Sequence, residues 1–362
     1  MKSPLHFFQG VKYHFTGDLF LPKPVYFGLG VTNRCDARCI MCPIWRTKNG
    51  GEPSVEEIGQ IFSHPLLNKI RTVGISGGEP TLREDLPEIV NKILEVNQSV
   101  KWMSVITNGL NPELFEKELK RIITLPALQN LDTFAVQVSL DGYGEVHDKI
   151  RGIPYAFERT AQTLYMLRNL QSLFPFRIQI LTVVQKLNVE NLPELSRFGR
   201  KLNIPIRFTP VRKKPENASF FYEKLMPSSL QLRKIREYFK DDLKDDLDLL
   251  AISFWKDYFR IIEGKERKVP CALPYYSLSM SGEGNLFICG VADDRIYGNI
   301  HDNPIDTIWY SQDARRLREE FRQQICPECW AWCVTNLSLS LEFFYFAKFF
   351  LKSFFSEIAI AP

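Results

Sequence analysis

Three cysteines, Cys35, Cys39 and Cys42, stand at C-x3-C-x2-C spacing directly after the apolar run 25–31. Three thiolates this close in sequence can ligate three irons of a [4Fe–4S] cube, which leaves the fourth iron without a protein ligand. An iron open in this way suits chemistry at the metal better than electron storage. The competing readings are a zinc site and cysteines that fill a core. Zinc ribbons pair two C-x2-C hooks, and C-x3-C-x2-C is not that pattern. Five more cysteines lie far downstream at Cys271, Cys289, Cys326, Cys329 and Cys333.

The elements that must position the first set follow from periodicity. Short β-branched runs near 25–32, 71–76, 102–107, 134–140, 177–184 and 205–210 read as strands. Amphipathic stretches near 54–64, 85–96, 112–124, 156–171, 190–202 and 228–239 read as helices, and Ser54 with Glu57 forms a capping-box signature. Six β/α units in succession imply a parallel sheet with right-handed crossovers. Six units are too few to close an eight-stranded barrel, so an α/β partial (β/α)6 barrel is expected. Polar motifs end several of the strands: Gly77-Gly78-Glu79-Pro80, Asn108-Gly109, and Ser139-Leu140-Asp141-Gly142 followed by His147 and Arg151. Barrels of this kind place their chemistry at that end of the strands. Each polar residue also has a plainer role open to it as a cap or turn, most plausibly for Asn108-Gly109. His147 reads as structural.

In this order and at these strand ends, the motifs resemble the radical SAM superfamily over about residues 25–215. The resemblance implies that the open iron chelates S-adenosylmethionine, whose reductive cleavage yields a 5′-deoxyadenosyl radical. It implies contacts of Gly77, Gly78, Glu79 and Pro80 with the methionyl amino end and of Arg151 with the methionyl carboxylate. Asn108 is a further contact, Ser139 and Asp141 are candidates for the ribose, and Met41 for the adenine. Thr182, Val183 and the run Phe208-Thr209-Pro210 are weaker adenine-side candidates. It also implies a reducing partner such as a flavodoxin or ferredoxin. Cys271 and Cys289 flank a hairpin expected over 278–288, and with Cys326, Cys329 and Cys333 they resemble the SPASM/twitch extensions that bind auxiliary clusters. Five thiols ligate one auxiliary [4Fe–4S] cluster fully, with one to spare. The expected set is Cys271, Cys289, Cys326 and Cys329. Cys333 is left as an alternate ligand, a hydrogen-atom donor or a buried thiol.

The expected organisation is an N-terminal extension at 1–24, the barrel at 25–215, a helical linker at 216–269, a twitch-type domain at 270–335 and a C-terminal amphipathic helix at 336–362. A net charge of +4 gives no indication of a nucleic-acid partner. Without a signal-peptide pattern, clustered cysteines point to reduced thiols in the cytoplasm. The tail 337–358 is aromatic-rich, with Glu342, Tyr345, Lys348, Lys352 and Ser356 on one stripe. Its charges argue against a membrane span. They leave a helix packed on protein or one lying peripherally on a membrane surface. The basic residues Arg207, Arg212, Lys213 and Lys214 read as a solvated loop, or as a site for a phosphate or carboxylate. For substrate, a precursor peptide or other natural product is preferred. The short segment ahead of the first strand leaves no room for a peptide-binding domain, which keeps a sugar, an aminocyclitol or a lipid-linked molecule in play. From another class, a non-catalytic metal-binding or membrane-surface protein remains open.

Overall fold

The computed structural model describes residues 21–47, 50–211, 224–242, 249–265, 271–289, 295–321, 323 and 329. Six parallel strands alternate with helices. They are β1 (Tyr26–Gly30), β2 (Thr72–Ser76), β3 (Trp102–Thr107), β4 (Thr133–Ser139), β5 (Arg177–Val184) and β6 (Ile206–Pro210). The helices α1 (Val55–Ser63), α2 (Leu86–Val96), α3 (Pro112–Ile123), α4 (Glu145–Arg151), α5 (Ala156–Gln171) and α6 (Leu192–Leu202) lie between them. Strands neighbour one another in chain order, and β6 does not return to β1, so the barrel is open. Burial explains the layering. Ile178, Ile180 and Val184 are buried in the common core, while the intervening Gln179, Leu181 and Val183 are only half-buried. A period of two thus turns one face of β5 to the helices and the other to the barrel interior.

The C-terminal part packs directly on the barrel. Helices α7 (Ser229–Asp242) and α8 (Leu249–Ile262) follow β6, and Phe254, Trp255, Tyr258 and Phe259 of α8 are buried in the same core as the barrel. Aromatic area on this scale is a large apolar contribution. The anticipated hairpin forms from β7 (Ser277–Met280) and β8 (Asn285–Phe287), and β9 (Ile296–Asn299) adds a third antiparallel strand. This meander does not stand apart: β7 pairs in parallel with β1, from Tyr26 opposite Ser277 to Leu29 opposite Met280. One nine-stranded sheet results, in the order β6-β5-β4-β3-β2-β1-β7-β8-β9.

Two further helices, α9 (Ile305–Tyr310) and α10 (Gln312–Glu320), cover the meander. The buried Arg318 of α10 donates from Nε to the Pro274 carbonyl at 3.0 Å and from Nη2 to that of Trp309 at 2.8 Å. Among the described residues no helix is long and apolar enough to cross a membrane. The expected tail helix at 336–362, the segment 1–20 and the basic residues Arg212, Lys213 and Lys214 lie outside the described residues.

Candidate active site

The loop after β1 carries the three cysteines at the C-terminal mouth of the sheet. Its backbone is fastened to the motif after β2. Gly78 N–H donates to the Thr32 carbonyl at 2.7 Å, and Glu79 N–H to that of Arg34 at 2.8 Å. The two glycines are required by this contact. A Cβ at Gly77 (φ +134°) would lie 2.3 Å from the Thr32 oxygen, and one at Gly78 2.0 Å from the Arg34 oxygen. The close approach expected of these glycines is therefore made first of all to the chain just before Cys35. On the other flank, Arg38 N–H donates to the Arg151 carbonyl at 2.8 Å and Ile40 N–H to that of Ile150 at 3.0 Å. Met41 packs with Ala37, Cys39, Leu110 and Ala156 in a small apolar cluster under the loop.

Glu79 does not point into open space. It is 2% exposed, and its Oε1 accepts from Thr81 Oγ1 at 2.8 Å and Thr107 Oγ1 at 2.9 Å. Its Oε2 accepts from Asn108 N–H at 2.7 Å. Burial pushes its pKa up to about 7 against the pull of these donors. The side chain thus staples the end of β2 to the end of β3, and Pro80 begins the short turn that shapes it. Asn108 continues the chain of contacts, with Nδ2 donating to Asp36 Oδ1 at 2.6 Å and lying 3.9 Å from Cys35 Sγ.

Asp141 is held by partners within the fold. It is fully buried, with Oδ1 accepting from Val183 N–H at 2.7 Å and Oδ2 lying 2.7 Å from Arg151 Nη2. That second contact is an ion pair by distance, yet neither Asp141 Oδ2 nor Arg151 Nε has a well-aligned hydrogen bond. Arg151 reaches Cys39, with Nη1 3.5 Å from Sγ. Burial works against the Arg151 charge, but Asp141 and the neighbouring thiols hold its pKa above the ordinary value. Desolvation pushes the Cys35 thiol up to about 12 and raises Cys39 as well, with Arg151 opposing the shift at Cys39. His147 is structural, as its sequence context suggests. Nδ1 accepts from Asp141 N–H at 2.9 Å, and burial holds its pKa well below the ordinary value.

Ser139, half-buried at the end of β4, shares the interior face with Gln137. Thr182 and Phe208 do not. The Thr182 hydroxyl donates to the Leu140 carbonyl at 2.7 Å, and Phe208 packs on Tyr238 and Phe239 of α7. The other face of β6 therefore presents Arg207 and Thr209 to the interior, which replaces the solvated-loop reading of Arg207. The interior residues Gln137 and Gln179 are joined by an amide hydrogen bond of 3.2 Å. Neither glutamine was singled out from sequence, although each is an amide interrupting an apolar strand.

In the C-terminal part, Cys271, Cys289 and Cys329 pack against the same buried Leu273. Cys326 and Cys333 lie outside the described residues. None of the six described cysteines is tied up in a disulfide, as ligation requires. Among the described residues no three potential ligands close on a single-ion site.

Comparison with known proteins agrees with this geometry. Residues 29–199 match the model of the radical SAM superfamily, and residues 271–330 that of an iron–sulfur cluster-binding domain, SPASM. The chain belongs to the radical SAM superfamily. It is an enzyme of that superfamily with a SPASM domain, and its cofactors are iron–sulfur clusters and S-adenosylmethionine. Among its relatives is the AdoMet-dependent heme synthase of Methanosarcina barkeri, 26% identical over 316 residues, covering 80% of this chain and 83% of that protein. Another is the mycofactocin maturase MftC of Mycolicibacterium smegmatis, 27% identical over 325 residues, covering 85% and 76%. Its fold is similar to that of Streptococcus suis SuiB bound to the precursor peptide SuiA, with a TM-score of 0.62 at 14% identity over 92% of this chain and 76% of that one.

Proposed function

We propose that Cys35, Cys39 and Cys42 hold the [4Fe–4S] cluster at which S-adenosylmethionine is cleaved, and that the substrate is a precursor peptide or a related natural product. The observation that carries the first part is the buried Arg151. It stands 3.5 Å from the Cys39 sulfur and has an Nε without a hydrogen-bond partner. A guanidinium beside the thiols compensates the negative charge of a thiolate-ligated cluster, and its remaining N–H suits the methionyl carboxylate. Held by Cys35, Cys39 and Cys42, such a cluster would supply the electron for reductive cleavage of S-adenosylmethionine and so the radical chemistry at a substrate carbon. The protein's share is placement. Asp141 and His147 hold Arg151 and its loop, and Glu79 and Asn108 hold the ends of β2 and β3. Ser139, Met41 and the peptide groups of Gly77 and Gly78 border the cofactor. Cys271, Cys289, Cys326 and Cys329 ligate one auxiliary cluster, with Cys333 as the alternate.

The peptide reading draws on the maturase relative and on the fold shared with a precursor-peptide complex. The barrel wall supports it. Gln137, Gln179 and Thr209 line that wall with amides and a hydroxyl, the groups that meet peptide bonds. The heme synthase relative favours a second reading, a small-molecule substrate. The test is anaerobic reconstitution with iron and sulfide, then dithionite and S-adenosylmethionine. 5′-Deoxyadenosine should form and should vanish in Cys35→Ala, Cys39→Ala and Cys42→Ala. Its absence from fully loaded parent protein refutes the reaction. Short peptides encoded beside this gene and small metabolites are then added in parallel, and the class that changes mass as S-adenosylmethionine is consumed identifies the substrate.

A further inference from the structure

The residues Thr32, Asn33 and Arg34, which lead from β1 into Cys35, are gripped from two sides. One grip is the Gly77–Glu79 motif described above. The other comes from the C-terminal part, through the turn Ser281–Gly284 that joins β7 to β8. Backbone meets backbone there: a Cβ at Gly282 would lie 2.7 Å from the Thr32 carbonyl carbon and 2.9 Å from Asn33 N. Beside this contact, Asn33 Nδ2 donates to Glu283 Oε1 at 3.0 Å across 250 residues of sequence. The Glu283 stem also packs where Gly50 leaves room, since a Cβ at Gly50 would be 2.7 Å from Glu283 Cγ.

The turn itself is firmly held. Ser281 Oγ accepts from Glu283 N–H at 3.3 Å and from Asn285 N–H at 3.2 Å. Asn299 Nδ2 of β9 donates to the Glu283 carbonyl at 3.0 Å, and Ile300 N–H donates to that of Gly284 at 3.0 Å. Glu283 therefore transmits the position of the β7–β9 meander to the segment that ends at Cys35. Ligand distances in metal sites keep within about 0.2 Å of their standard values, so a support at this point bears on how Cys35 is placed.

We propose that Glu283 is a positioning residue for the three-cysteine loop. Through Asn33 it couples the auxiliary-cluster region to the geometry of the S-adenosylmethionine site. The inference rests on the reading of Cys35, Cys39 and Cys42 as cluster ligands, and it is tested by two measurements, one of which needs no cluster. The full chain is prepared as the parent, Glu283→Ala, Glu283→Gln, Asn33→Ala and the Glu283/Asn33 double variant.

In the iron-free proteins, hydrogen exchange is followed in peptides spanning 31–42. Glu283→Ala should exchange about tenfold faster there, with the global unfolding midpoint unchanged. Glu283→Gln retains an acceptor for Asn33 and should behave as the parent. In the reconstituted, reduced proteins, the change of the cluster's paramagnetic resonance spectrum on adding S-adenosylmethionine is titrated. Glu283→Ala should need about tenfold more of it, Glu283→Gln should not, and the double variant should lose no more than either single one. Parent-like behaviour of Glu283→Ala in both measurements overturns the proposal. Equal impairment in Glu283→Ala and Glu283→Gln also overturns it, because charge rather than position would then be at work. If Glu283→Ala does not fold, Asn33→Ala breaks the same bond from the other side and is judged by the same two outcomes. A parent whose spectrum ignores S-adenosylmethionine refutes the cluster reading instead, and the exchange measurement alone then decides whether Glu283 holds the loop.

Discussion

Substituting Gly78 by alanine should damage the site out of proportion to the size of a methyl group. The added Cβ would lie 2.0 Å from the Arg34 oxygen and 2.5 Å from its carbonyl carbon. Ordinary contact begins at 3.4 Å, so the two backbones must separate by about 1.4 Å. The hydrogen bonds at 2.7 Å (Gly78 to Thr32) and 2.8 Å (Glu79 to Arg34) would then stretch beyond bonding range. Each is worth about 1 kcal/mol, and leaving buried donors unmet adds about 1–3 kcal/mol, so a loss of roughly 3–5 kcal/mol is expected. The displaced residue is the one before Cys35, so iron binding should fall with stability. The assay is urea denaturation together with iron and sulfide content after anaerobic reconstitution. Gly51→Ala is the control, because a Cβ there meets nothing within 4 Å. A Gly78→Ala protein within about 1 kcal/mol of the parent and fully loaded with iron would refute the reasoning, since no other route lets the two backbones keep their contact.

Three more outcomes follow from the same geometry. Arg151→Met removes the partner 2.7 Å from the buried Asp141 carboxylate, and urea denaturation should show a loss of about 3–5 kcal/mol, as for other broken buried pairs. Glu79 has a folded pKa raised from 4.5 to about 7, so its stabilising term is complete below 4.5 and is lost as pH rises through about 7. Between about pH 5.5 and about pH 8 the stability difference between parent and Glu79→Gln should therefore change by about 2 kcal/mol, and a flat difference refutes the shift. Cys271→Ala, Cys289→Ala and Cys329→Ala should each lower the iron content while 5′-deoxyadenosine is still formed. Comparing Cys326→Ala with Cys333→Ala by iron analysis identifies the remaining ligand, since only the true ligand lowers the count.

The six barrel strands were legible because each is a short β-branched run with a polar motif at its end, and local pattern suffices to specify such units. The pairing of β7 with β1 was not legible. β7 spans Ser277–Met280, only four residues, and parallel pairing across some 250 residues leaves no mark on either strand alone. Helix α8 was readable in principle. Phe254, Trp255, Tyr258 and Phe259 recur at helical spacing, but the acidic run 241–246 just before them gave the region the look of a linker.

The site divides in the same way. A sequence shows that Gly77 and Gly78 admit something closely but not what is admitted, and the visitor here is the chain's own backbone at Thr32 and Arg34. Likewise Asp141 and Glu79 read as groups offered to a ligand because they are charged and lie at strand ends. Burial sets a further demand on them. A carboxylate at 2% exposure or less must find its donors within the fold, and Thr81, Thr107 and Asn108 supply them for Glu79, as Val183 and Arg151 do for Asp141. Charged residues at this barrel mouth thus stand in two ranks. Arg151, held at one end by Asp141, faces the thiols, and the carboxylates behind it keep the loops that carry those thiols in register.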